Sequence, residues 1–450
     1  MRTPRVAVVG GGLAGLAAAL ACADAGVQVA LFEARTRLGG ATWSTRHRGL
    51  EIDNGQHVFL RCCEAYLAFL ARLGVRDKVA LQDRLAVPVA SPGRPLAWIR
   101  RGALPAPAHL ARSLLGFHHL PFSARLRAAL SARRIAALDP DDAALDALSL
   151  GDWLARRGES DAAIDGLWDL LVRATLNLPA REASLALAVK VLRTGFLDRA
   201  DAADLGWPTV PLSRLHAGPA EAALRKAGAE IHLRAPVDAI ECGPGARPAL
   251  RAGGARIELD AVILATDHES AARLAPAAAG LSPRRLAALG RSPIVNLHVV
   301  LDRPVLAHPF LAGFGTPLQW IFDRTDAAGA GPGHQVLAIS LSGADAWRKR
   351  SLSDLRAIFV PALEALLPAA RGARAVDFFA TCEPAATFRQ APGTRALRPP
   401  ARTAAPGLFL AGAWTDTGWP ATMEGAVRSG LSAARAALTD LTVARAREAA

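Results

Sequence analysis

Tyrosine and mixed basic–aromatic runs are nearly missing from this sequence, which excludes the simplest account of its charge. Tyr66 is the single tyrosine in 450 residues, and no run of lysine and arginine is interleaved with aromatic side chains. The formal net charge of +13 therefore does not indicate a nucleic-acid partner. It is compatible with attraction to an anionic membrane surface, or simply with a composition rich in arginine and alanine.

Cysteine is also scarce, and its spacing offers no metal site. The five cysteines are Cys22, Cys62, Cys63, Cys242 and Cys382. None belongs to a Cys-x-x-Cys pair or to another metal-ligand spacing, so we expect no metal. An odd, scattered set of thiols predicts a reducing compartment, and hence a cytoplasmic protein with mostly buried cysteines.

Long apolar segments that could cross a membrane are lacking as well. Arg2 and Arg5 precede an apolar run from Val6 to Ala23, which imitates a signal peptide, but four glycines interrupt that run. No internal repeat is present. With 51% hydrophobic and 21% charged residues, the chain is expected to form two or three globular domains, soluble or peripheral on the inner face of the membrane.

The beginning of the chain predicts a βαβ unit. Val6–Val9 predicts a strand, Leu13–Ala25 predicts a helix rich in alanine and leucine, and Val27–Phe32 predicts a second strand. Units of this kind hold a nucleotide at the turn between the first strand and the helix. We therefore expect the chemistry-bearing residues of this segment to lie in that turn.

The turn carries the pattern Gly10-x-Gly12-x-x-Gly15. Gly10 permits the tight turn, Gly12 lets the backbone approach a pyrophosphate, and Gly15 lets helix and strand pack closely. The helix N-terminus offers free N–H groups and the positive end of its dipole to phosphates. Glu33 ends the second strand, where its carboxylate can bind a ribose 2′-hydroxyl and would repel a 2′-phosphate.

The segment after Glu33 resembles a motif of the amine oxidase and phytoene desaturase group of FAD enzymes. It reads Ala34-Arg35-Thr36-Arg37-Leu38-Gly39-Gly40-Ala41. In that group an acidic residue, a basic residue and a glycine pair wrap the FAD. The resemblance implies that Arg37 approaches the pyrophosphate and that the glycine pair lies near the ribityl chain. Ala41 stands where many members have arginine, a departure that makes a typical amine oxidase less expected.

Two later segments resemble the remaining FAD motifs of this group. The apolar strand that ends in Ala265-Thr266 follows Val237, where the family's backbone reaches the adenine. In the segment Leu408–Asp416, Ala413 replaces the usual aspartate beside Gly412, and Asp416 stands three residues later. Either residue is therefore a candidate for the contact with FAD in this segment. The last helix begins near Met423 and would face the flavin's N1–C2=O edge. The resemblance implies these cofactor-binding residues: Gly10, Gly12, Leu13, Ala14, Gly15, Glu33, Ala34, Arg35, Arg37, Gly39, Gly40, Ala41, Val237, Ala265, Thr266, Gly412, Asp416, Ala421, Thr422 and Met423.

A narrower resemblance links the chain to the hydroxysqualene dehydroxylases, FAD enzymes of bacterial squalene and hopanoid synthesis. It rests on Trp43, on the run Asp53-Asn54-Gly55-Gln56-His57 and on the segment Trp414–Gly425. It implies that hydride from reduced flavin replaces the hydroxyl of a long apolar isoprenoid, with upstream prenyl synthases of the squalene pathway as candidate partners. Two alternatives stay open: an FAD-dependent polyprenyl or carotenoid desaturase, and a non-catalytic protein that binds FAD and prenyl lipid.

Loss of the hydroxyl needs a proton, and three residues are candidate catalytic groups. His57 suits the task because its unperturbed pKa of about 6.5 lies near neutrality. Asp53 would donate only if burial raised its pKa, and hydrogen bonds to the loop backbone are the favoured alternative. Glu424 could hold a water. Lys190 matches the flavin-facing lysine of amine oxidases, although a solvated helix lysine is the favoured interpretation.

The three FAD-type segments are far apart in sequence, which predicts an interrupted domain. We expect an α/β fold with a Rossmann-type FAD-binding domain formed by residues 1–65, 206–274 and 400–450. Residues 66–205 and 275–399 would form an inserted substrate-binding domain, largely helical plus a mixed sheet. Within it, Leu104–Leu138 mixes leucine and phenylalanine with arginine and histidine. This stretch could dip into a bilayer, or form ordinary helices of the substrate domain.

Overall fold

A computed structural model describes residues 3–243 and 245–449. Arg2, which the sequence places before the first apolar run, lies outside these residues. The strands in chain order are β1 (Arg5–Val9), β2 (Gln28–Glu33), β3 (Ser44–His47), β4 (Leu50–Asp53), β5 (Phe59–Leu60), β6 (Val79–Leu81), β7 (Ala86–Ala90), β8 (Ala97–Arg100), β9 (Leu205–Pro208), β10 (Glu230–Leu233), β11 (Val237–Gly243), β12 (Ala246–Ala252), β13 (Ala255–Glu258), β14 (Ala261–Leu264), β15 (Ser292–Leu301), β16 (Phe310–Gly313), β17 (Trp320–Asp323), β18 (Gln335–Ser342), β19 (Ala375–Thr387) and β20 (Leu408–Leu410).

The α-helices are distributed over the whole chain. In order they are α1 (Leu13–Asp24), α2 (Glu64–Arg72), α3 (Ala111–Leu115), α4 (Phe122–Ala136), α5 (Leu150–Ala155), α6 (Asp169–Leu176), α7 (Leu185–Leu192), α8 (Leu212–Leu215), α9 (Ala217–Lys226), α10 (His268–Leu274), α11 (Pro283–Ala287), α12 (Thr325–Ala328), α13 (Leu352–Leu366) and α14 (Met423–Ala449). Among the described helices, none is both long and apolar enough to cross a membrane.

A parallel five-stranded sheet forms the nucleotide-binding half of the molecule. Its order is β10-β2-β1-β14-β20, so strands from three distant parts of the chain lie side by side. The strands are buried on both faces, as the apolar β1 and β14 require. Helices α1 and α14 pack against each other closely, because Gly430 leaves room for the backbone of Ala14. The predicted α/β class with a Rossmann-type FAD domain is confirmed.

Helix α2 belongs to this half as well. Its side chains Tyr66, Phe69 and Leu70 are buried in the same core as α1 and β1. Since α2 runs from Glu64 to Arg72, the predicted boundary between residues 65 and 66 falls inside a helix. The sequence missed this because the helix gives no sign of which core its apolar face joins.

A second, seven-stranded sheet dominates the other half. Its order is β19-β15-β18-β17-β16-β7-β8, and its pairs are antiparallel except for β7 with β16. Helices α3 to α7 and the strands β7 and β8 come from the first insertion, and the remaining strands come from the second. Apolar residues from both insertions fill one continuous core.

Local details separate what the pattern predicted from what it did not. The strand predicted within residues 256–264 is two strands, β13 and β14, which lie in different sheets. The hairpin of β3 and β4 was not predicted, although Arg48 and Gly49 turn it with positive φ angles of 48° and 87°. Two cysteines are buried, Cys22 and Cys62, and Cys382 is exposed, so the expectation of mostly buried thiols is only partly met.

Candidate functional site

The glycines of the first turn sit where no other residue fits. Gly10 has φ +108°, and a Cβ on it would approach the carbonyl oxygen of Ala265 to 2.5 Å. A Cβ on Gly15 would overlap the carbonyl oxygen of Gly10. Strand β14 runs beside β1 and brings Ala265 to this turn, where its N–H donates to Val9 at 2.8 Å. The first and second predicted FAD segments therefore meet in one place.

The N-terminus of α1 is open toward an anion. Gly12 is the N-cap, makes no side-chain capping bond, and is followed by no acidic residue in the first turn. The first N–H groups of a helix have no partner within it, so a phosphate is a natural acceptor. Gly40 crosses this end closely, because a Cβ on it would lie 2.7 Å from the Cα of Gly12. The backbone thus forms a cradle for a pyrophosphate, and the residues present fit FAD.

The Glu33 carboxylate holds the edge of this cradle. It is 8% exposed and accepts hydrogen bonds from the N–H of Gly11 at 2.7 Å and of Arg35 at 2.8 Å. The N–H of Ala235 donates to the carbonyl of Glu33, which brings the approach to Val237 alongside. Glu33 therefore supports the glycine turn in addition to facing the expected ribose position.

Arg37 and Trp43 pack against each other beside Gly40 of the cradle. The Arg37 guanidinium donates to the carbonyl of Gly40 at 3.2 Å and lies 4.3 Å from the centre of the Trp43 ring. Burial lowers the pKa of Arg37. The indole N–H of Trp43 donates to Glu383 at 2.9 Å. Glu383 lies on β19 of the seven-stranded sheet, and nothing in the sequence pattern pointed to it.

Hydrogen bonds join the third predicted FAD segment, Leu408–Asp416, to the second, which ends in Ala265-Thr266. The indole N–H of Trp414 donates to the carbonyl of Thr266 at 2.8 Å, and the N–H of Gly412 donates to the Ser429 hydroxyl at 2.8 Å. Arg398 is buried and donates to the carbonyl of Thr415 at 2.5 Å. Asp416 is exposed, and its carboxylate accepts from the N–H of Gly418. Its part in cofactor binding stays a prediction.

Asp53 and Asn54 are held by structural bonds. The Asp53 carboxylate accepts from the Ser44 hydroxyl at 2.7 Å and from the N–H of Leu212 at 2.9 Å, and it pairs with the buried Arg324 at 3.0 Å. Asn54 donates to the carbonyl of Ala41 at 2.8 Å. These three donors occupy the Asp53 carboxylate, which argues against the expected Asp53 proton donor and favours the loop-stabilising alternative.

His57 follows on the same loop. Its Nδ1 lies 3.0 Å from the carbonyl of Gly55, so Nδ1 carries the proton and Nε2 presents a lone pair. Burial is the largest influence on its pKa, which is lowered. At neutral pH the imidazole is therefore mostly neutral. It accepts a hydrogen bond more readily than it donates a proton.

Glu424 has a structural task that the sequence did not reveal. Its carboxylate accepts from the N–H groups of Ala65 at 3.1 Å and Tyr66 at 2.7 Å, and it pairs with Arg428 at 2.6 Å. The side chain is 1% exposed. It thus caps the N-terminus of α2 from the first turn of α14. Glu424 also lies in the wall of the cavity described below, and its expected water-holding role stays a prediction.

An apolar cavity of about 190 Å³ adjoins these loops. Gln56, Pro420, Thr422 and Met423 lie in its wall beside residues of both insertions. The apolar part of the wall consists of Val58, Phe59, Leu60, Leu85, Val87, Ile99, Leu170, Leu171, Val191, Phe196, Leu205, Ile294, Trp320, Phe322 and Trp419. Residues of the predicted flavin-facing segments and of the predicted substrate domain thus line the same apolar cavity.

Lys190 also lies in the cavity wall. It is half-buried on α7, and its ammonium lies 5.5 Å from the centre of the Trp419 ring. The favoured interpretation of a solvated helix lysine is therefore wrong. Tyr66 is absent from the wall: it is fully buried, and its hydroxyl lies 2.7 Å from Nε2 of His216.

No group of three or more histidine, cysteine, aspartate or glutamate side chains within residues 3–243 and 245–449 is arranged to hold a metal ion.

Comparison with known proteins gives one family and several relatives. The profile of the family described as flavin containing amine oxidoreductase matches residues 13–438. Hydroxysqualene dehydroxylase of Sinorhizobium fredii is 29% identical over 451 residues, with 97% of this chain and 98% of that protein covered. The 15-cis-phytoene desaturase of Glycine max is 25% identical, with 97% and 79% covered.

A solved oxidoreductase from Methanosarcina mazei superposes with a TM-score of 0.74 at 18% identity, covering 95% of this chain and 99% of that one. This likeness shows the shared fold.

Proposed function

The chain belongs to the flavin containing amine oxidoreductase family, and from this premise we propose that it removes the hydroxyl of hydroxysqualene reductively to give squalene. It is an FAD-dependent oxidoreductase, as the sequence predicted. The observation that carries the substrate proposal is the apolar cavity that meets the flavin-facing loops. The near full-length relative named hydroxysqualene dehydroxylase supports the same reaction.

The cradle residues would hold FAD through its charged half. The N-terminus of α1 would bind the pyrophosphate, Glu33 would accept from a ribose hydroxyl, and Arg37 would lie near the phosphates. The first turn of α14, at Met423, would face the flavin edge. Reduced FAD supplies the hydride that replaces the departing hydroxyl.

The cavity wall selects for a hydrocarbon chain. A long isoprenoid gains free energy in proportion to the apolar area that it buries, at roughly 25 cal/mol per Å². Such a wall also excludes water from the reacting carbon, so that a departing hydroxyl is not exchanged with solvent. Polar groups in the wall are few, and Gln56, Thr422 and Lys190 lie among those near the flavin-facing loops.

Two groups compete as the source of the proton. His57 belongs to the loop predicted to return to the flavin, but its bond to Gly55 and its lowered pKa leave it mostly neutral. Lys190 lies in the wall with an ammonium beside Trp419. We propose His57 as the acid, acting from its minor protonated form, with Lys190 as the alternative donor.

The test is anaerobic incubation of the FAD-loaded protein with hydroxysqualene after chemical reduction, followed by product analysis. Squalene is the expected product. Unchanged hydroxysqualene would overturn the dehydroxylase proposal, and conversion of phytoene by the oxidised protein would favour the desaturase alternative. Val58→Trp, which fills the cavity, should stop turnover while FAD stays bound, whereas the exposed Val376→Trp should not.

We also propose that α3, α4 and the loop before them dock on an anionic bilayer. The stripe Phe122, Leu126 and Leu130 lies on the outer side of α4, with exposed fractions of 59%, 43% and 55%, and Leu104 and Leu115 are exposed nearby in sequence. Residues 84–138 contain nine arginines and no aspartate or glutamate. Arg101 of this segment pairs with the buried Asp204. Exposed apolar side chains beside the remaining arginines suit a phosphatidylserine-like surface.

Vesicle co-sedimentation tests this surface. Binding to vesicles with anionic lipid, lost in a variant with serine at positions 122, 126 and 130, is the expected result. A matched triple serine variant at the exposed Leu352, Val376 and Leu431 should bind like the parent. Equal binding to neutral and anionic vesicles, or none to either, would contradict the proposal.

A further inference from the structure

Two adjacent thiols lie in the wall of the cavity. Cys62 and Cys63 occupy a tight turn between β5 and α2. The N–H of Cys63 donates to the carbonyl of Leu60 at 2.9 Å, and the N–H of Glu64 donates to that of Cys62 at 2.9 Å. The φ and ψ of Cys63, −79° and 64°, are those of an inverse γ-turn. No step of the proposed reaction uses either sulfur.

The two thiols belong to consecutive residues and are not equivalent. Interaction with the Cys63 thiol lowers the pKa of Cys62, and the neighbouring Cys62 thiol is the main reason why the pKa of Cys63 is raised. Arg199 lies near enough to favour the Cys62 thiolate further. Thiolate character makes a sulfur nucleophilic, and a neighbouring thiol resolves the product. The geometry therefore pairs an attacking sulfur with a resolving one.

We propose that Cys62 and Cys63 form a reversible dithiol–disulfide site in the cavity wall, with a hydroperoxide as the oxidant. The Cys62 thiolate attacks the peroxide O–O bond and becomes a sulfenic acid, while the other oxygen leaves as hydroxide or alkoxide and takes up a proton. The Cys63 thiol then attacks the Cys62 sulfur, and water leaves. Overall two thiols lose two electrons and two protons, and one hydroperoxide becomes water and an alcohol, or two waters.

Closing this bond reshapes the wall at a sensitive point. The new ring includes the peptide between the two cysteines, so the two turn bonds at Leu60 and Glu64 must adjust. The turn leads directly into α2, whose first N–H groups are bound by Glu424 from the first turn of α14. Oxidation therefore shifts the cavity wall next to the flavin-facing helix end.

The thiol site is tested by mass spectrometry and by a trivalent arsenical, neither of which needs turnover. The FAD-loaded protein is treated with hydrogen peroxide, and peptide mapping should show a Cys62–Cys63 linkage with the loss of two hydrogen masses, reversed by dithiothreitol. Phenylarsine oxide should bind the reduced protein in one equivalent. Cys62→Ser and Cys63→Ser should each abolish both signals, whereas Cys382→Ser, which removes an exposed thiol, should keep them.

Turnover gives the functional readout. Oxidation should slow turnover reversibly by roughly tenfold or more, since a displacement of about 1 Å near a reacting centre can cost about 10²-fold. A parent protein that binds no arsenical, or whose oxidised peptides are two separate sulfonic acids, would overturn the thiol site. Absence of turnover before oxidation would instead count against the proposed reaction, while the mass and arsenical results would still decide the thiol pair.

Discussion

The cofactor cradle and the substrate cavity are built from different materials. The cradle consists of backbone: glycines at positions 10, 12, 15 and 40 bring N–H groups and carbonyls within reach of a ligand. The cavity consists of side chains contributed by both insertions and by the loops between them. A backbone site binds charge through fixed dipoles, and a side-chain site binds hydrocarbon through area. The cradle therefore has no room for a Cβ at Gly10, Gly15 or Gly40, whereas the cavity can change its shape with its residues.

The same contrast appears in two buried glutamates. Glu33 accepts from two backbone N–H groups near its own strand, and its contact with the cofactor is a prediction. Glu424 accepts from two backbone N–H groups of a helix 358 residues away in sequence. One carboxylate supports the glycine turn, and the other joins two helices. Burial of a carboxylate therefore does not by itself identify a catalytic group.

A side chain placed inside the cradle should have the largest effect on FAD binding. In Gly15→Val the new side chain would collide with the carbonyl of Gly10, so the turn cannot close and FAD binding should be lost. The ratio of flavin to protein absorbance in the purified protein measures this. Gly331→Ala is the matched control, because a Cβ there meets nothing within 4 Å. A Gly15→Val protein with full flavin content would contradict the claim that the cradle, unlike the cavity, has no room for an added side chain.

His57→Ala should act on the reaction and leave the cradle intact. We expect FAD to stay bound and turnover to fall by roughly 10²–10⁴-fold if His57 is the general acid. Because the pKa of His57 is lowered below about 6.5, turnover of the parent should fall as pH rises through that lowered value, and this slope should vanish in the variant.

Two further variants sharpen this assignment. His57→Gln keeps a hydrogen-bonding side chain but cannot protonate the leaving group, so it should remain slow. Lys190→Met tests the alternative donor in the cavity wall. A parent-like rate in His57→Ala together with a large loss in Lys190→Met would move the acid to Lys190.

Glu33→Gln should weaken the cofactor site by a smaller amount. A charge-assisted hydrogen bond is worth about 1.5–3 kcal/mol, so the FAD dissociation constant should rise about 10-fold to 100-fold. Glutamine is preferred to alanine because its carbonyl oxygen can still accept from one of the two N–H groups, that of Gly11 or that of Arg35, whereas alanine would leave both without a partner. Titration of the FAD-free protein by flavin fluorescence gives the constant; an unchanged value would remove Glu33 from the ribose site.

The smallest and most gradual effect should be a loss of stability in acid. Burial lowers the pKa of His216, whose Nε2 lies 2.7 Å from the Tyr66 hydroxyl, and of His298 in the seven-stranded sheet, each to about 3. In the unfolded chain these two histidines bind protons below about pH 6.5, whereas in the folded chain the same two side chains stay neutral until about pH 3. Stability is therefore full above pH 6.5 and falls progressively toward pH 3.

Thermal unfolding between pH 7 and pH 5 measures this slope. His298→Phe should flatten it, whereas substitution of the exposed His334 by glutamine should leave it unchanged. A melting temperature that does not depend on pH in this range would contradict the burial of neutral histidines.

The cradle was predictable because its determinants are local. The strand, the glycine pattern and Glu33 stand within one short segment, and the resemblance supplied the later segments. The side chains that bind Trp43, Asp53 and Ala421 across the molecule were not predictable. Arg324 pairs with Asp53, Glu383 with Trp43, and Gln390 with the N–H of Ala421, and each is a single polar residue on a strand or loop of the insertion. Only the folded arrangement shows which polar side chain faces which loop.

Glu383 has a consequence for how a large substrate enters. One of its oxygens accepts from both the Trp43 indole and the Asn54 amide, each at 2.9 Å. Arg324 adds a buried bond from the same half of the molecule to Asp53. A hinge that swung the seven-stranded sheet away from the nucleotide sheet would have to break these bonds together and leave charges without partners in the opened cleft. These bonds therefore predict that the proposed isoprenoid substrate enters by rearrangement of side chains, while the two halves stay together.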